Sequence, residues 1–251
     1  MVSQSEKLED PLILSLDTSS RRTSLALARG GLTLSIFGAL HDESRSERLW
    51  YELEFLLKES GVSIGEIDLF AVCTGPGSFT GLRVGIAAIK GLATASGKPV
   101  AGVTSLEALA NAARDARAVI ALVNAYKGEL YAQRFEREAD GFPRPQTGAR
   151  IAKHEEIAAD IAGVGSLTLI GEGAGEVLKT AREVAGDDRA VDWAVEDPPQ
   201  FLADRISSVA YLKYGRGEAV RAGELEAAYV RPADAELKLS LGLVGKGLGR
   251  E

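Results

Sequence analysis

At 251 residues, 45% of them hydrophobic and 26% charged, the chain has the composition of a folded soluble protein and is long enough for two halves sharing a crevice. A net charge of −7, with lysine and arginine scattered along the chain, argues against unaided nucleic-acid binding, which draws most of its affinity from neutralised phosphates. No uncharged run approaches bilayer length. The single cysteine excludes an internal disulfide and fits a reducing cytoplasm, and the two histidines, His41 and His154, stand in no metal-binding spacing.

The opening residues, Met1 to Asp10, carry charges and no apolar h-region, so they read as a frayed leader rather than a secretion signal. Leu12 to Leu16 and Ser24 to Ala28 read as strands joined by the polar turn Asp17-Thr18-Ser19-Ser20-Arg21-Arg22-Thr23. Arg29-Gly30-Gly31 turns the chain into a third strand ending near Ala39, giving an antiparallel meander. Ser44-Arg45-Ser46-Glu47 has the S-x-x-E capping box, and Leu49, Leu53, Leu56 and Leu57 keep helical period until Gly61.

Leu69 to Thr74 is a continuous apolar run suited to a strand covered on both faces. Cys73 within it reads as a buried structural thiol. Gly75-Pro76-Gly77 then turns the chain, and Ser78 or Thr80 is placed to cap a long helix reaching about Ser96. On that helix Gly81, Gly85 and Ala88 leave one face almost bare backbone, beside an apolar stripe of Leu82, Ile86, Ile89 and Ala93. Each glycine inside a helix costs about 1 kcal/mol relative to alanine, so something must approach closely. Two candidates are open: a neighbouring element of the same chain, or a partner protein. A short strand at Val100 to Val103 completes the first half.

After a connecting helix at Ser105 to Arg114 the order recurs. Strands read at Ala118 to Val123, Glu129 to Glu136 and Thr147 to Ala152, followed by a helix from His154 to Ile161, a strand at Leu167 to Ile170, a helix from Ala174 to Val184 and a strand at Ala190 to Ala194. A last helix, Pro199 to Tyr214, closes the second half, and the glycine-bearing tail after about Ala235 reads as unpacked. Two copies of strand, strand, strand, helix, strand, helix, strand mark a duplicated ribonuclease H-like fold of the actin, sugar kinase and Hsp70 (ASKHA) class, an α/β protein with mixed five-stranded sheets. The expected lobes are residues 1–104 and 105–215, with 216–251 packed partly back on the first.

Four segments resemble the TsaB (YeaZ) family: Asp17-Thr18-Ser19 with Ser24-Leu25-Ala26-Leu27, Gly75 to Gly85, Lys127-Gly128-Glu129-Leu130-Tyr131, and Tyr229-Val230-Arg231-Pro232. The GPGSFTGLR block is specific, whereas the DTS hairpin is common to the fold class. The resemblance implies a non-catalytic, cytoplasmic paralogue of TsaD, serving in the threonylcarbamoyladenosine modification of tRNA beside the anticodon. It implies TsaD as heterodimer partner with the ATPase TsaE joining, a homodimer when alone, and tRNA met only through TsaD. Two residues depart from the family pattern: Arg45 stands where a histidine is frequent, and Asn124-Ala125 where Asp-Ala is frequent.

The expected partner surface joins the first helix to the glycine-bearing one, through Arg45, Ser46, Leu49, Trp50, Leu53 and Leu56, with Gly81, Leu82, Gly85, Ile86, Ile89 and Lys90 opposite. Phe55 flanks the stripe, and Gly85→Leu is expected to block the contact while the isolated subunit stays folded. No catalytic residue or metal site is expected. The rival reading is an ATP-dependent small-molecule kinase of the same fold, with Asp17, Thr18 and Ser19 at phosphate and Gly171 and Gly173 at adenosine. Against it, Asn124 to Gly128 offers no carboxylate, Glu172 opposes an anion, and the Gly75 loop fails the P-loop spacing. ATP or ADP is expected only in the assembled complex. Nothing places a histidine to activate Ser78, and the catalytic paralogue's paired histidines are replaced around Arg45, Arg48 and Leu49.

Overall fold

A computed structural model describes residues 10–40, 45–186, 192–228 and 230, and the side chains of 45–47 fall outside that description. The capping box at Ser44 and the side chains of Arg45 and Ser46 therefore lie outside the described residues, and of the Tyr229 to Pro232 motif only Val230 is described.

The first sheet holds β1 (Leu12–Asp17), β2 (Arg22–Arg29), β3 (Leu32–Leu40), β4 (Leu69–Gly75) and β5 (Val100–Thr104) in the order β3-β2-β1-β4-β5. The β3-β2-β1 meander is antiparallel and β1, β4 and β5 are parallel. Every residue of β1 and β4 is buried, as a strand covered on both faces requires. On one face lie α1 (Arg45–Glu59) and α2 (Phe79–Ser96), and Phe37 of β3 meets Phe55 of α1 edge to face at 5.7 Å. On the other face Gly38 is covered by the Phe201 ring, which sits 2.6 Å from where a Cβ would stand.

The second sheet repeats the arrangement with β6 (Ala118–Tyr126), β7 (Glu129–Arg137), β9 (Arg150–Lys153), β10 (Ser166–Gly171) and β11 (Asp192–Glu196). β6 and β7 are antiparallel, β7 and β9 antiparallel, and β6, β10 and β11 parallel. The duplicated ribonuclease H-like fold is thus present in both lobes. A short β8 (Pro143–Pro145) also pairs with β7, a sixth strand that the sequence reading lacked. Two prolines in three residues read as a loop, yet an edge strand tolerates them. α4 (His154–Ile161) and α5 (Ala174–Ala185) cover Ile120 and Leu122, while Val119 and Ala121 face α3 (Ser105–Ala112).

The last helix corrects one expectation. α6 (Ala203–Gly215) does not close the second lobe but lies across the first sheet, where Ile206, Val209 and Ala210 join the core of β1 to β5. Polar groups fix its seat: Ser15 donates to the Ala203 carbonyl at 2.7 Å, and Lys213 Nζ reaches the Gly102 carbonyl and Glu107. It starts at Ala203 rather than Pro199. Beyond it, Val220 pairs with Val100, Leu225 enters the first core, and the Ala228 amide donates to the Thr74 carbonyl at 2.9 Å.

Candidate functional site

Two places could carry function: the crevice between the lobes and the outer surface of α1 and α2. The crevice is lined by Asp17, Ser19 and Arg22 from the first hairpin, Leu122 and Gly171 from the second sheet, and Glu172 with Pro198 to Gln200 across the mouth. So the structure does bring together Asp17, Ser19 and Gly171. Gly173 lies apart, in a more open cleft with Lys127, His154 and Glu176.

The crevice residues do not fit a magnesium nucleotide, the group this fold class holds there. The Ser19 amide donates to Asp17 Oδ1 at 2.9 Å, and the Ser19 carbonyl accepts from the Ser78 amide at 2.6 Å. Thr18, wholly buried, donates its hydroxyl to the Gly81 carbonyl at 2.7 Å. The first hairpin thus spends its polar groups on the turn and on α2. In the second hairpin Tyr126 and Lys127 both take left-handed φ, 63° and 55°, and Asn124 Oδ1 accepts the Tyr126 amide. No glycine pair leaves room for a phosphate there. The crevice volume is about 120 Å³, against about 300–1,000 Å³ for small-molecule pockets. Among the described residues no group of three or more His, Cys, Asp or Glu is placed to hold a metal ion.

Cys73 lies below this hairpin and is fully buried. Burial first, and the nearby Asp17 charge second, push its thiol well above the ordinary range. It is the structural thiol that its apolar run suggested. At pH 8 it should stay unlabelled by a disulfide reagent in native protein and react at once in urea; rapid native labelling would contradict this placement.

The helical surface changes the expected interface. Ser78, of the two candidates, caps α2 by accepting from the Gly81 amide at 3.3 Å. The bare face of Gly81 and Gly85 is filled by the chain's own first hairpin: a Cβ on Gly85 would collide with Thr18 Oγ1 and stand 3.5 Å from Val72 Cγ2. Of the two candidates the same-chain one holds. Leu49, Leu53, Leu56, Leu82, Ile86 and Ile89 are likewise buried in the first core. As folded, seven of those eight residues are turned into the chain's own core and only Leu49 also reaches an outer groove, a correction to the expected interface. Lys90 is half-buried.

What faces outward is a neighbouring set. Trp50, Tyr51 and Phe55 of α1 are exposed by half or more. Beside Trp50 runs a groove of about 340 Å³ floored by Leu49, Val84, Ala87, Ala88 and Gly91. Val84, Ala87 and Gly91 sit at i, i+3 and i+7, a second small-residue face that the sequence reading passed over. A Cβ on Gly91 would meet open space. An aromatic ridge beside a small-residue groove suits helix-to-helix docking.

The family model for TsaD, described as tRNA N6-adenosine threonylcarbamoyltransferase, matches residues 39–158. The Escherichia coli K12 tRNA threonylcarbamoyladenosine biosynthesis protein TsaB is 32% identical over 148 residues, 58% of this chain and 64% of that protein. The Haemophilus influenzae protein of the same name is 34% identical over 134 residues, 52% of this chain and 56% of that one. The aligned stretch therefore spans between about half and just under two thirds of these curated relatives. In three dimensions the chain is similar to YeaZ from Pseudomonas aeruginosa, with a TM-score of 0.72 at 28% identity over 87% of this chain and 99% of that one. No helix among the described residues is long and apolar enough to cross a membrane. Sequence likeness to TsaB and fold likeness to YeaZ point the same way as the resemblance carried by the segments around Asp17 and Gly75.

Proposed function

We propose that this chain is a non-catalytic scaffold subunit of the cytoplasmic machinery that places threonylcarbamoyl on the adenosine beside the tRNA anticodon, acting by binding and activating TsaD together with TsaE. The observation that carries the reading is the outward groove between Trp50 and Gly91, an apolar helix surface with no covering element of its own among the described residues. Its α1–α2 pair would dock on the equivalent pair of TsaD, burying about 800 Å² per partner. Without TsaD the same surface can close on a second copy about a twofold axis. Likeness to TsaB supports the choice of partner, and the net charge of −7 supports reaching tRNA only through TsaD.

The rival reading, an ATP-dependent small-molecule kinase, needs a crevice that accepts a nucleotide, and the hairpin residues here are engaged with their own backbone. Any nucleotide would belong to the assembled complex. The test is size-exclusion chromatography of the purified chain with TsaD and TsaE, with and without ATP. A TsaD complex is expected, while calorimetry on the chain alone shows no micromolar ATP site. Separate elution of the two proteins, or a tight ATP site on the isolated chain, would overturn the proposal.

A further inference from the structure

Two lobes that share a crevice can open and close about the segments that join them. Here the chain crosses between the lobes twice, through Ser105 at the start of α3 and through the stretch from Asp197 to Leu202, and Ser105, Pro198 and Leu202 all line the crevice. Two crossings beside the crevice leave one axis about which the second sheet could turn against the first. A third attachment away from that axis would stop the turn.

Such an attachment stands at the far end of the second sheet. β6 runs four residues, about 13 Å, from Leu122 at the crevice to Ala118, whose partner Glu136 lies two residues before the turn that joins β7 to β8. That turn, Glu138 to Phe142, reaches out of its own lobe: Phe142 is buried in the core of the first sheet, the cluster that holds Tyr214 and Ala219. Arg216, just past α6, lies over the Phe142 ring at 3.9 Å and donates from Nη2 to Asp140 at 2.7 Å and to Glu138. The turn is held in shape from within. Asp140 Oδ1 accepts the Phe142 amide and the Phe142 carbonyl accepts the Glu138 amide, both at 2.9 Å, while Arg137 ties the base of the turn to the Ala110 and Ala113 carbonyls at the end of α3.

We infer that this contact is a brace: Arg216 clamps the second lobe's turn onto the first lobe and fixes the crevice at one aperture. An exposed ion pair alone contributes little, but here one guanidinium stacks on a buried ring and bonds two carboxylates, a geometry that a sliding turn could not keep. Hydrogen bonds from Arg216 and Arg144 hold the Glu138 carboxyl below its ordinary range, the mark of a pair made in the folded chain. The crevice volume of about 120 Å³ is then a standing feature and not the closed phase of a moving one. The brace does not depend on what the groove beside Trp50 binds.

Double electron-electron resonance on the full chain tests this, with spin labels on Thr94→Cys of α2 and Lys179→Cys of α5, both exposed, while Cys73 is buried. The distance should be single and narrow. Arg216→Ala should widen its distribution about twofold, as hinge motion is released, and should speed amide exchange of the peptide 138–142 about tenfold, with β1 and β10 unchanged. Arg216→Lys, which keeps the charge but loses the planar stack and the forked bonds, should fall between the two. An unchanged distribution in Arg216→Ala would overturn the inference, as would a broad one in the labelled chain that keeps Arg216.

Discussion

Gly85→Leu is expected to destabilise the isolated chain by about 2–4 kcal/mol, taking overpacking at about 1–3 kcal/mol and the lost Thr18 to Gly81 hydrogen bond at about 1. The leucine would have to displace Thr18, whose hydroxyl is buried, and Val72 behind it in a filled strand-helix layer. Neither is the far end of a flexible side chain. Since domains are stable by only about 5–15 kcal/mol, this is a large share of the total. Urea unfolding should show the midpoint falling with little change in slope. The earlier expectation, a folded subunit that merely loses its partner, fails because the crossing that Gly85 permits is internal. A midpoint within experimental error of wild type would mean that α2 and the first hairpin are not packed as described.

Gly91→Arg, six residues further along the same helix, should do the reverse. A Cβ there meets open space, so the fold should be unharmed, and replacing a helix glycine contributes about 0.5–1 kcal/mol of stability. The arginine would project into the groove beside Trp50 and Ala87, where it must be desolvated without a partner when another helix docks. TsaD affinity should drop by at least about 100-fold, equivalent to about 2.7 kcal/mol. Gly91→Ala serves as the size control and should bind within a few-fold of wild type. If Gly91→Arg binds TsaD normally, the groove is not the contact. The pair Gly85 and Gly91 thus separates an inner role for helix glycine from an outer one.

Much of this architecture is legible in the residues because local signals and burial agree. α4 is readable residue for residue, with Glu156 returning to the Lys153 amide as the N3 carboxylate of a capping box does. β1 and β4 read as doubly covered strands because their apolar runs are continuous. What covers them is not legible: α6 follows the second sheet in sequence but packs on the first, and no periodicity reports which of two apolar sheets a helix will meet. The same ambiguity hides which face of α2 is turned outward. α2 has two small-residue faces, Gly81-Gly85-Ala88 and Val84-Ala87-Gly91, and a helical wheel cannot rank them. Only the position of Thr18, brought over from a hairpin more than sixty residues earlier in the sequence, decides which is inside. Trp50 and Phe55 were legible as surplus apolar surface, whereas Tyr51 and Gly91 carried no signal apart from falling off the buried stripe.

The most direct measurement is threonylcarbamoyladenosine formation on tRNA in a reconstituted reaction with TsaD, TsaE and the adenylate-forming enzyme, comparing wild type, Asp17→Asn and Gly91→Arg. Asparagine keeps the side-chain oxygen that accepts the Ser19 amide but removes the carboxylate a kinase would need for magnesium. The scaffold account predicts wild-type modification with Asp17→Asn and loss of modification with Gly91→Arg. Modification abolished by Asp17→Asn and untouched by Gly91→Arg would contradict it, returning function to the crevice between the lobes.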